Sequence, residues 1–185
     1  MKKQLKLWVF LILVVLVTPA VSSCATSQIK TYTFKHYGVS FSFEYPSSYK
    51  RISSYIQDNP GAPIGVRFAR ARGFFGLLST DPVFVVNIDS PLSVKEPDPK
   101  STANIAGSHS ADQELEGASI LIAGTVGELV AYSSSDFQNT PSVTREVFFS
   151  VNGILWSISI YSGIAKADEA KLDFEHIVTS FKIMP

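Results

Sequence analysis

The 185-residue sequence predicts a layered α+β domain with mostly antiparallel strands, and three observations predict it. Apolar and polar residues alternate from Val39 to Tyr45, as in a strand with one buried face. Asn152-Gly153 separates two strand-like runs, a strong signal for an antiparallel hairpin. Apolar residues recur at spacings of three and four between Lys166 and Phe181, which indicates an amphipathic helix. Such a helix would cover the apolar face of the sheet.

The remaining elements follow from shorter patterns. Pro46-Ser47-Ser48 ends the Val39–Tyr45 strand, and the three prolines within residues 89–101 predict a loop. Residues 102–116 are ambiguous, and a helix is the favoured interpretation. Further strands are predicted at Tyr32–Phe34, at Ile64–Phe68, at Val83–Ile88 as a central strand, and at Ala118–Ile122 and Glu128–Tyr132, joined by a glycine-containing turn.

The N-terminus predicts a secretory signal. Three lysines precede an apolar run of eleven residues from Leu7 to Val17, which is too short for a membrane span of about twenty. Val21-Ser22-Ser23-Cys24 then resembles the bacterial lipobox, and Cys24 is the only cysteine. We expect residues 1–23 to be removed, Cys24 to carry the lipid, residues 24–30 to form a tether and residues 31–185 to form one domain.

Composition limits the class of protein. Apolar residues make up 45% of the chain, enough for a core, and one cysteine excludes an intrachain disulfide. Loss of three lysines from 16 basic residues would leave 13 against 16 acidic ones, a net charge of about −3. A mildly acidic surface argues against nucleic acid as a partner, because phosphate binding needs a basic patch.

Several segments together resemble the PsbP-like superfamily, which includes a photosystem II protein, bacterial lipoproteins and a Ran-binding import factor. They are the Gly38–Tyr49 strand with its Tyr-Pro turn, Gly127–Tyr132, Arg145–Ile160 with its Asn-Gly hairpin, and Phe174–Lys182. The resemblance covers most of residues 31–183 and implies an antiparallel sheet sandwiched between helices, an α/β/α arrangement. It implies little about function, because members bind different partners and most are not enzymes.

The search for chemistry yields no strong motif. His36, His109 and His176 have no spacing typical of a metal pair, so no metal or other cofactor is predicted. Ser47-Ser48-Tyr49-Lys50 matches the serine–lysine spacing of penicillin-binding enzymes, but the companion motifs are missing. An enzyme is therefore not the predicted class.

The segment Arg70–Leu78 has two interpretations. Its large apolar residues Phe74, Phe75, Leu77 and Leu78 either form a buried crossing between strands or contact a partner or a membrane. Arg70 has the parity of Ile64 and Phe68, so a continuing strand would turn its charge inward. We therefore expect the strand to end or bulge near Ala69 and the following residues to protrude.

The sequence thus predicts a lipoprotein anchored through Cys24 on the extracytoplasmic face of a membrane, the outer membrane being possible in a Gram-negative cell. Its predicted function is a non-catalytic protein-binding or assembly module with an unidentified protein partner. The alternative is a carrier for a small ligand or metal ion, using a cleft between sheet and helices. A hydrolase of unrecognised type ranks last.

Overall fold

The structure, a computed structural model, describes residues 28–36, 38–56, 64–70, 83–88, 98–110, 113–135 and 141–185. Within these ranges the chain forms strands β1 (Ile29–His36), β2 (Val39–Pro46), β3 (Tyr49–Ile56), β4 (Ile64–Arg70), β5 (Val83–Ile88), β6 (Gln113–Ile122), β7 (Thr125–Ser135), β8 (Pro141–Val151), β9 (Ile154–Gly163) and β10 (Lys182–Ile183). The helices there are α1 (Pro99–Ser110) and α2 (Ala167–Ser180), and a 3₁₀ turn (Ile164–Lys166) precedes α2.

The strands form two antiparallel sheets. The larger sheet has the order β3-β4-β5-β9-β8-β7-β6, and the smaller one has the order β1-β2-β10. Strand β5 lies inside the larger sheet, as the apolar run Val83–Ile88 predicts. The predicted α+β class is confirmed, although β1 and β2 belong to a separate small sheet.

Alternate residues of the larger sheet face two different layers. In β9, Leu155 belongs to a cluster with Ala103 of α1, whereas Trp156 and Ile158 belong to the cluster that includes Phe174 of α2. Because neighbouring side chains of a strand point to opposite faces, α1 covers one face, and α2 and the small sheet cover the other. The helices therefore flank the large sheet on both sides.

Aromatic rings fill the space between the two sheets. Phe41 of β2 is fully buried, and its ring lies 5.6 Å from Trp156 and 5.6 Å from Phe181. Phe43 contacts Phe68 of β4 edge-to-face at 5.7 Å. Such aromatic pairs prefer offset and edge-to-face geometry. The alternate, buried rings of β2 therefore pack the small sheet against the large one.

Two of the elements predicted between residues 89 and 116 have the wrong bounds. The helix begins at Pro99 and ends at Ser110, and Gln113 already begins β6, so residues 102–116 are not one helix. Pro99 occupies the first turn, where its missing N–H has no intrahelical acceptor to lose. Asp98 caps this helix, since its Oδ1 accepts a hydrogen bond from the backbone of Lys100 at 3.1 Å. The predicted loop of residues 89–101 is therefore wrong for residues 99–101, and residues 89–97 lie outside the described part.

The β8–β9 hairpin confirms its prediction in detail. Asn152 and Gly153 form the turn with φ values of 54° and 76°, the left-handed conformations that a two-residue type I′ turn requires. The C-terminal helix is confirmed too, and it buries Ala170, Phe174, Ile177 and Val178. Phe181 is also buried, but it follows the helix in extended conformation.

Candidate functional site

The chain enters the domain through β1 of the small sheet, at the end where β2 leads into β3. The backbone N–H of Ser47 donates to the carbonyl of Gln28 at 2.6 Å, and Ile29 pairs with Pro46. The turn at residues 47–48 then leads into β3, where Tyr49 pairs with Arg70 at the end of β4. We call the end of the domain marked by Gln28, Pro46, Tyr49 and Arg70 the proximal end.

The opposite end carries two hairpin turns. Ala123-Gly124 joins β6 to β7, and Asn152-Gly153 joins β8 to β9. Since Gly127 pairs with Phe149, both turns lie at the same end of the sheet. We call this the distal end, and the length of the strands separates it from the proximal end.

Arg70 belongs to an ion-pair cluster at the proximal end. Strand β4 is described as far as Arg70, one residue beyond Ala69, where the strand is expected to end or bulge. The guanidinium group of Arg70 bonds to the carboxylates of Glu169 and Asp173 on α2. The guanidinium carbon also lies 5.2 Å from the centre of the Tyr49 ring. The inward charge is tolerated because the helix supplies its partners, which the local sequence could not show.

The same cluster controls the protonation of its members. Burial raises the pKa of Tyr49, and the charge of Asp173, which accepts the Tyr49 hydroxyl hydrogen bond at 2.8 Å, raises it further. Burial alone would lower the pKa of Arg70, but the hydrogen bond to Glu169 and the surrounding negative charge raise it. The hydrogen bond from Arg70 holds the pKa of Glu169 below its ordinary value. At neutral pH Tyr49 is thus a neutral donor, and the cluster fastens α2 to the strands of the proximal end.

An exposed apolar pair marks the distal end. Leu121 of β6 pairs directly with Val126 of β7, and the two residues are 74% and 60% exposed. Val126 shares the parity of Val130, which packs with Ala103 of α1, so the pair lies on the α1 face of the sheet. We call these two residues the distal pair. The two adjacent side chains form a small exposed apolar patch.

A narrow groove separates α2 from the edge strand β6, and we call it the α2–β6 groove. Its volume is about 240 Å³. Most of its surface is apolar, and polar and charged side chains also line it. It is lined by Glu116, Ala118, Ile120, Leu121, Leu129, Arg145, Lys171, Phe174, Glu175, Val178 and Thr179.

A second, more polar cleft of about 460 Å³ lies between α1 and the β6–β7 hairpin. Lys100, Glu114 and Glu128 bring charges to its walls. The hydroxyl of Ser119 donates to the Glu128 carboxylate at 3.1 Å.

The other sequence-predicted residues have different outcomes. Cys24, Phe74, Phe75, Leu77 and Leu78 lie outside the described residues, and the predictions on them stay predictions. His176 lies with its Nε2 3.5 Å from Glu44 Oε2. Ser47 and Lys50 lie on a turn and a strand, so they lack the one-turn helical spacing that the serine–lysine motif needs.

No group of three or more metal-ligating side chains occurs in the part of the chain that the structure describes. None of the helices in that part is both long and apolar enough to cross a membrane.

The comparisons with known proteins show the fold alone. No protein-family model and no curated protein matches the chain. Among solved structures, CyanoP from Synechocystis sp. PCC 6803 is similar at a TM-score of 0.53 and 16% identity, over 90% of this chain and 99% of that one. The Ran-binding protein Mog1p of Saccharomyces cerevisiae is similar at 0.52 and 11% identity, over 84% and 96%. LpqN, involved in cell envelope biogenesis of Mycobacterium tuberculosis, is similar at 0.47 and 10% identity, over 90% and 97%.

These likenesses define a class. The chain has the PsbP/Mog1-like α+β fold, with mostly antiparallel sheets and helices packed against them. The fold that the sequence resemblance implies is therefore confirmed. At these identities the fold carries no activity with it.

Proposed function

We propose that this chain is a non-catalytic, membrane-tethered module that binds a protein partner through its distal end. One observation carries the proposal: the chain enters beside Pro46 and Tyr49, at the end of the domain opposite to the distal pair. A lipid on Cys24 would hold the proximal end near the membrane. The distal pair, Leu121 and Val126, would then lie at the end of the domain away from the membrane, where a partner can reach it.

The fold supports this assignment by analogy. Mog1p, one of the similar structures, is named a Ran-binding protein. The same arrangement of sheets and helices can therefore present a protein-binding surface. Burying an exposed leucine or valine side chain contributes about 1.5–3 kcal/mol each, so the distal pair supplies a useful share of a binding energy.

The partner proposal is tested by changing Leu121 and Val126 to serine together in the full chain. Since both side chains are exposed, the free energy of unfolding should change by less than about 0.5 kcal/mol. The partner is captured by crosslinking it to the chain in intact membranes. The amount of crosslinked partner that is recovered should fall at least about tenfold in the double variant. Leu172→Ser is the matched control, because Leu172 is an exposed leucine on α2, and it should leave recovery unchanged. Equal recovery from the double variant and the control would contradict the proposal.

The tether is tested separately. Cys24→Ser should leave uncleaved or soluble protein, and mass spectrometry of the wild-type chain should find an acylated Cys24 at its N-terminus. Any other mature N-terminus would contradict the lipid anchor. The partner experiment could still succeed in that case, so the two parts of the proposal are distinguishable.

The segment of residues 71–82 adds a further proposed contact. It joins Arg70 to Val83, and Val83 pairs with Ala69 beside Arg70, so both of its flanking residues belong to the proximal end. We propose that Phe74 and Phe75 contact the membrane or a partner there. Changing both to serine should leave stability unchanged and weaken liposome or partner binding, whereas a large loss of stability would show that the rings belong to the core.

A further inference from the structure

Strand β6 forms one edge of the large sheet. It pairs with β7 on one side, and none of the described residues pairs with it on the other. The start of this edge is protected against further pairing, since the register shifts between Glu114 and Glu116 and both residues are charged. The remainder, Gly117–Ile122, has no charged residue, no proline and no further register shift. Such an edge can accept another strand.

The β6–β7 turn determines which backbone groups of this edge point outward. Ala123 and Gly124 have φ values of 49° and 79°, as in a two-residue type I′ turn. In such a turn the flanking residues, here Ile122 and Thr125, form a hydrogen-bonded pair. Hydrogen-bonded and non-hydrogen-bonded pairs alternate along an antiparallel ladder, so every second residue before Ile122 directs its N–H and C=O away from β7. These residues are Leu121, Ser119 and Gly117.

An added strand would turn one set of its side chains toward the α2–β6 groove. Residues directly opposite one another in neighbouring strands lie on the same face of a sheet. Ile120 packs against the cluster that includes Phe174 of α2, and Ala118 has the same parity. Side chains opposite Ala118 and Ile120 would therefore lie beside the groove. Its surface is mostly apolar, and its described positive and negative side chains are equal in number, so apolar side chains fit there.

The other set of side chains would meet two carboxylates on the α1 face. Glu114 reaches along the edge, since a Cβ added to Gly117 would lie 3.1 Å from Glu114 Oε1. The Glu128 carboxylate accepts a hydrogen bond from the Ser119 hydroxyl at 3.1 Å. Neither carboxylate forms an ion pair with a described residue, and Lys100 is the one basic residue among the described residues that line this polar cleft. Basic side chains opposite Gly117 and Ser119 would therefore complement the local charge.

These features select a partner other than a second copy of the chain. Strand β6 contains Glu114 and Glu116 and no basic residue, so another copy of β6 would add only negative charge to the edge. We propose that Gly117–Leu121 binds an extended segment of the partner in antiparallel orientation. Its apolar side chains face the α2–β6 groove, and its basic side chains face Glu114 and Glu128. In strand addition of this kind, backbone hydrogen bonds provide affinity and alternate side chains provide specificity.

This proposal rests on the proposed function, because it states how the partner of the distal end would be held. Leu121 belongs both to the distal pair and to the edge. The added strand would therefore continue the contact of the distal pair along β6.

The test uses the full chain in phosphatidylcholine nanodiscs and a fluorescently labelled peptide with the sequence Thr-Val-Ile-Lys-Val-Lys-Thr. In antiparallel orientation, the residues from its first valine to its second lysine lie opposite Leu121 to Gly117. Methylation of the two lysine amide nitrogens removes donors that face β6, whereas methylation at the isoleucine and the second valine alters N–H groups that point away. In fluorescence anisotropy, the first methylated peptide should bind at least about tenfold more weakly than the unmodified one, and the second should bind equally well. A peptide with glutamate in place of both lysines should bind about tenfold more weakly.

Proline at position 119 blocks the edge without changing its charge. Ser119→Pro removes an N–H that points away from β7, a position at which an edge strand tolerates proline. It should weaken binding of the unmodified peptide at least about tenfold. Ser119→Ala is the matched control, because it removes only the hydroxyl group and should bind the peptide as the wild type does. If Ser119→Pro fails to fold, the methylated peptides still decide, since they leave the protein unchanged.

Three outcomes would overturn the proposal. Equal affinity for the two methylated peptides would mean that β6 does not pair with the peptide backbone. Equal affinity for the lysine and glutamate peptides would mean that the carboxylates do not select the partner. Self-association in sedimentation that Ser119→Pro abolishes would mean that the edge pairs with a second copy. Each of these results could occur while the double serine variant of the distal pair still loses its crosslinked partner, so the two proposals can fail separately.

Discussion

Replacing Arg70 with methionine tests the ion-pair cluster at the proximal end. Methionine keeps much of the aliphatic length of the side chain and removes its charge and its hydrogen bonds. The side chains of Arg70 and Asp173 are only 17% and 13% exposed, so Asp173 would lose its charged partner in a poorly solvated place. It would keep the hydrogen bond from Tyr49.

The loss of stability expected for Arg70→Met lies between two limits. An exposed ion pair contributes about 0–1 kcal/mol, whereas removing one partner of a buried pair costs about 3–5 kcal/mol. With one hydrogen bond retained and some access to water, we expect Arg70→Met to lower the free energy of unfolding by about 2–4 kcal/mol. Arg67→Met is the control, because Arg67 lies three residues earlier on the same strand and is exposed, and it should change stability by less than about 0.5 kcal/mol.

Urea unfolding followed by circular dichroism measures these changes. A double-mutant cycle with Asp173→Asn should yield a coupling of about 1–3 kcal/mol, because the two residues share one contact. If Arg70→Met costs no more than Arg67→Met, or if the Arg70 and Asp173 changes are additive, the cluster does not fasten α2 to the proximal end.

Three further predictions concern other parts of the fold. Gly153→Val should lower the melting temperature because φ is 76° there and a β-branched residue is strained at positive φ, and an unchanged melting temperature would refute the turn geometry. Phe181→Ala should cost about 3–5 kcal/mol in a denaturant titration, since its buried ring contacts Phe41 and Trp156; a cost below about 0.5 kcal/mol would place the ring in solvent. Glu169 has a lowered folded-state pKa, so its contribution should be complete above the unfolded value of about 4.3 and be lost as the pH falls through the folded value. In unfolding curves between pH 3 and 7, the stability difference between wild type and Glu169→Gln should therefore shrink only at the acidic end, and a constant difference would contradict the pKa shift.

Local patterns predicted the elements that depend on local physics. The alternation in β2, the Asn-Gly turn and the face of α2 needed only strand and helix periodicity and the tolerance of Asn152 and Gly153 for positive φ. The boundary between α1 and β6 was missed because residues 102–116 have no clear period and because Pro99 is compatible with a first helical turn.

The candidate site residues depend on contacts between distant segments. The sequence favours a strand that ends or bulges near Ala69, because no residue close to Arg70 in the sequence indicates that Glu169 and Asp173 are its partners. The distal pair had a weak signal: Ile120-Leu121-Ile122 is a continuous apolar run, and in a strand the middle residue must face the other way from its neighbours. That Leu121 remains uncovered could be learned only from the position of α1.

Site-specific photocrosslinking at the distal end tests the central claim most directly. A photoreactive phenylalanine analogue replaces Val126 in one full-length variant and Leu172 in another, and both variants are irradiated in intact cells. The proposed function predicts one discrete crosslinked protein at Val126 and none at Leu172. A product dominated by lipid at Val126, or the same crosslinked proteins at both positions, would contradict a partner-binding distal end.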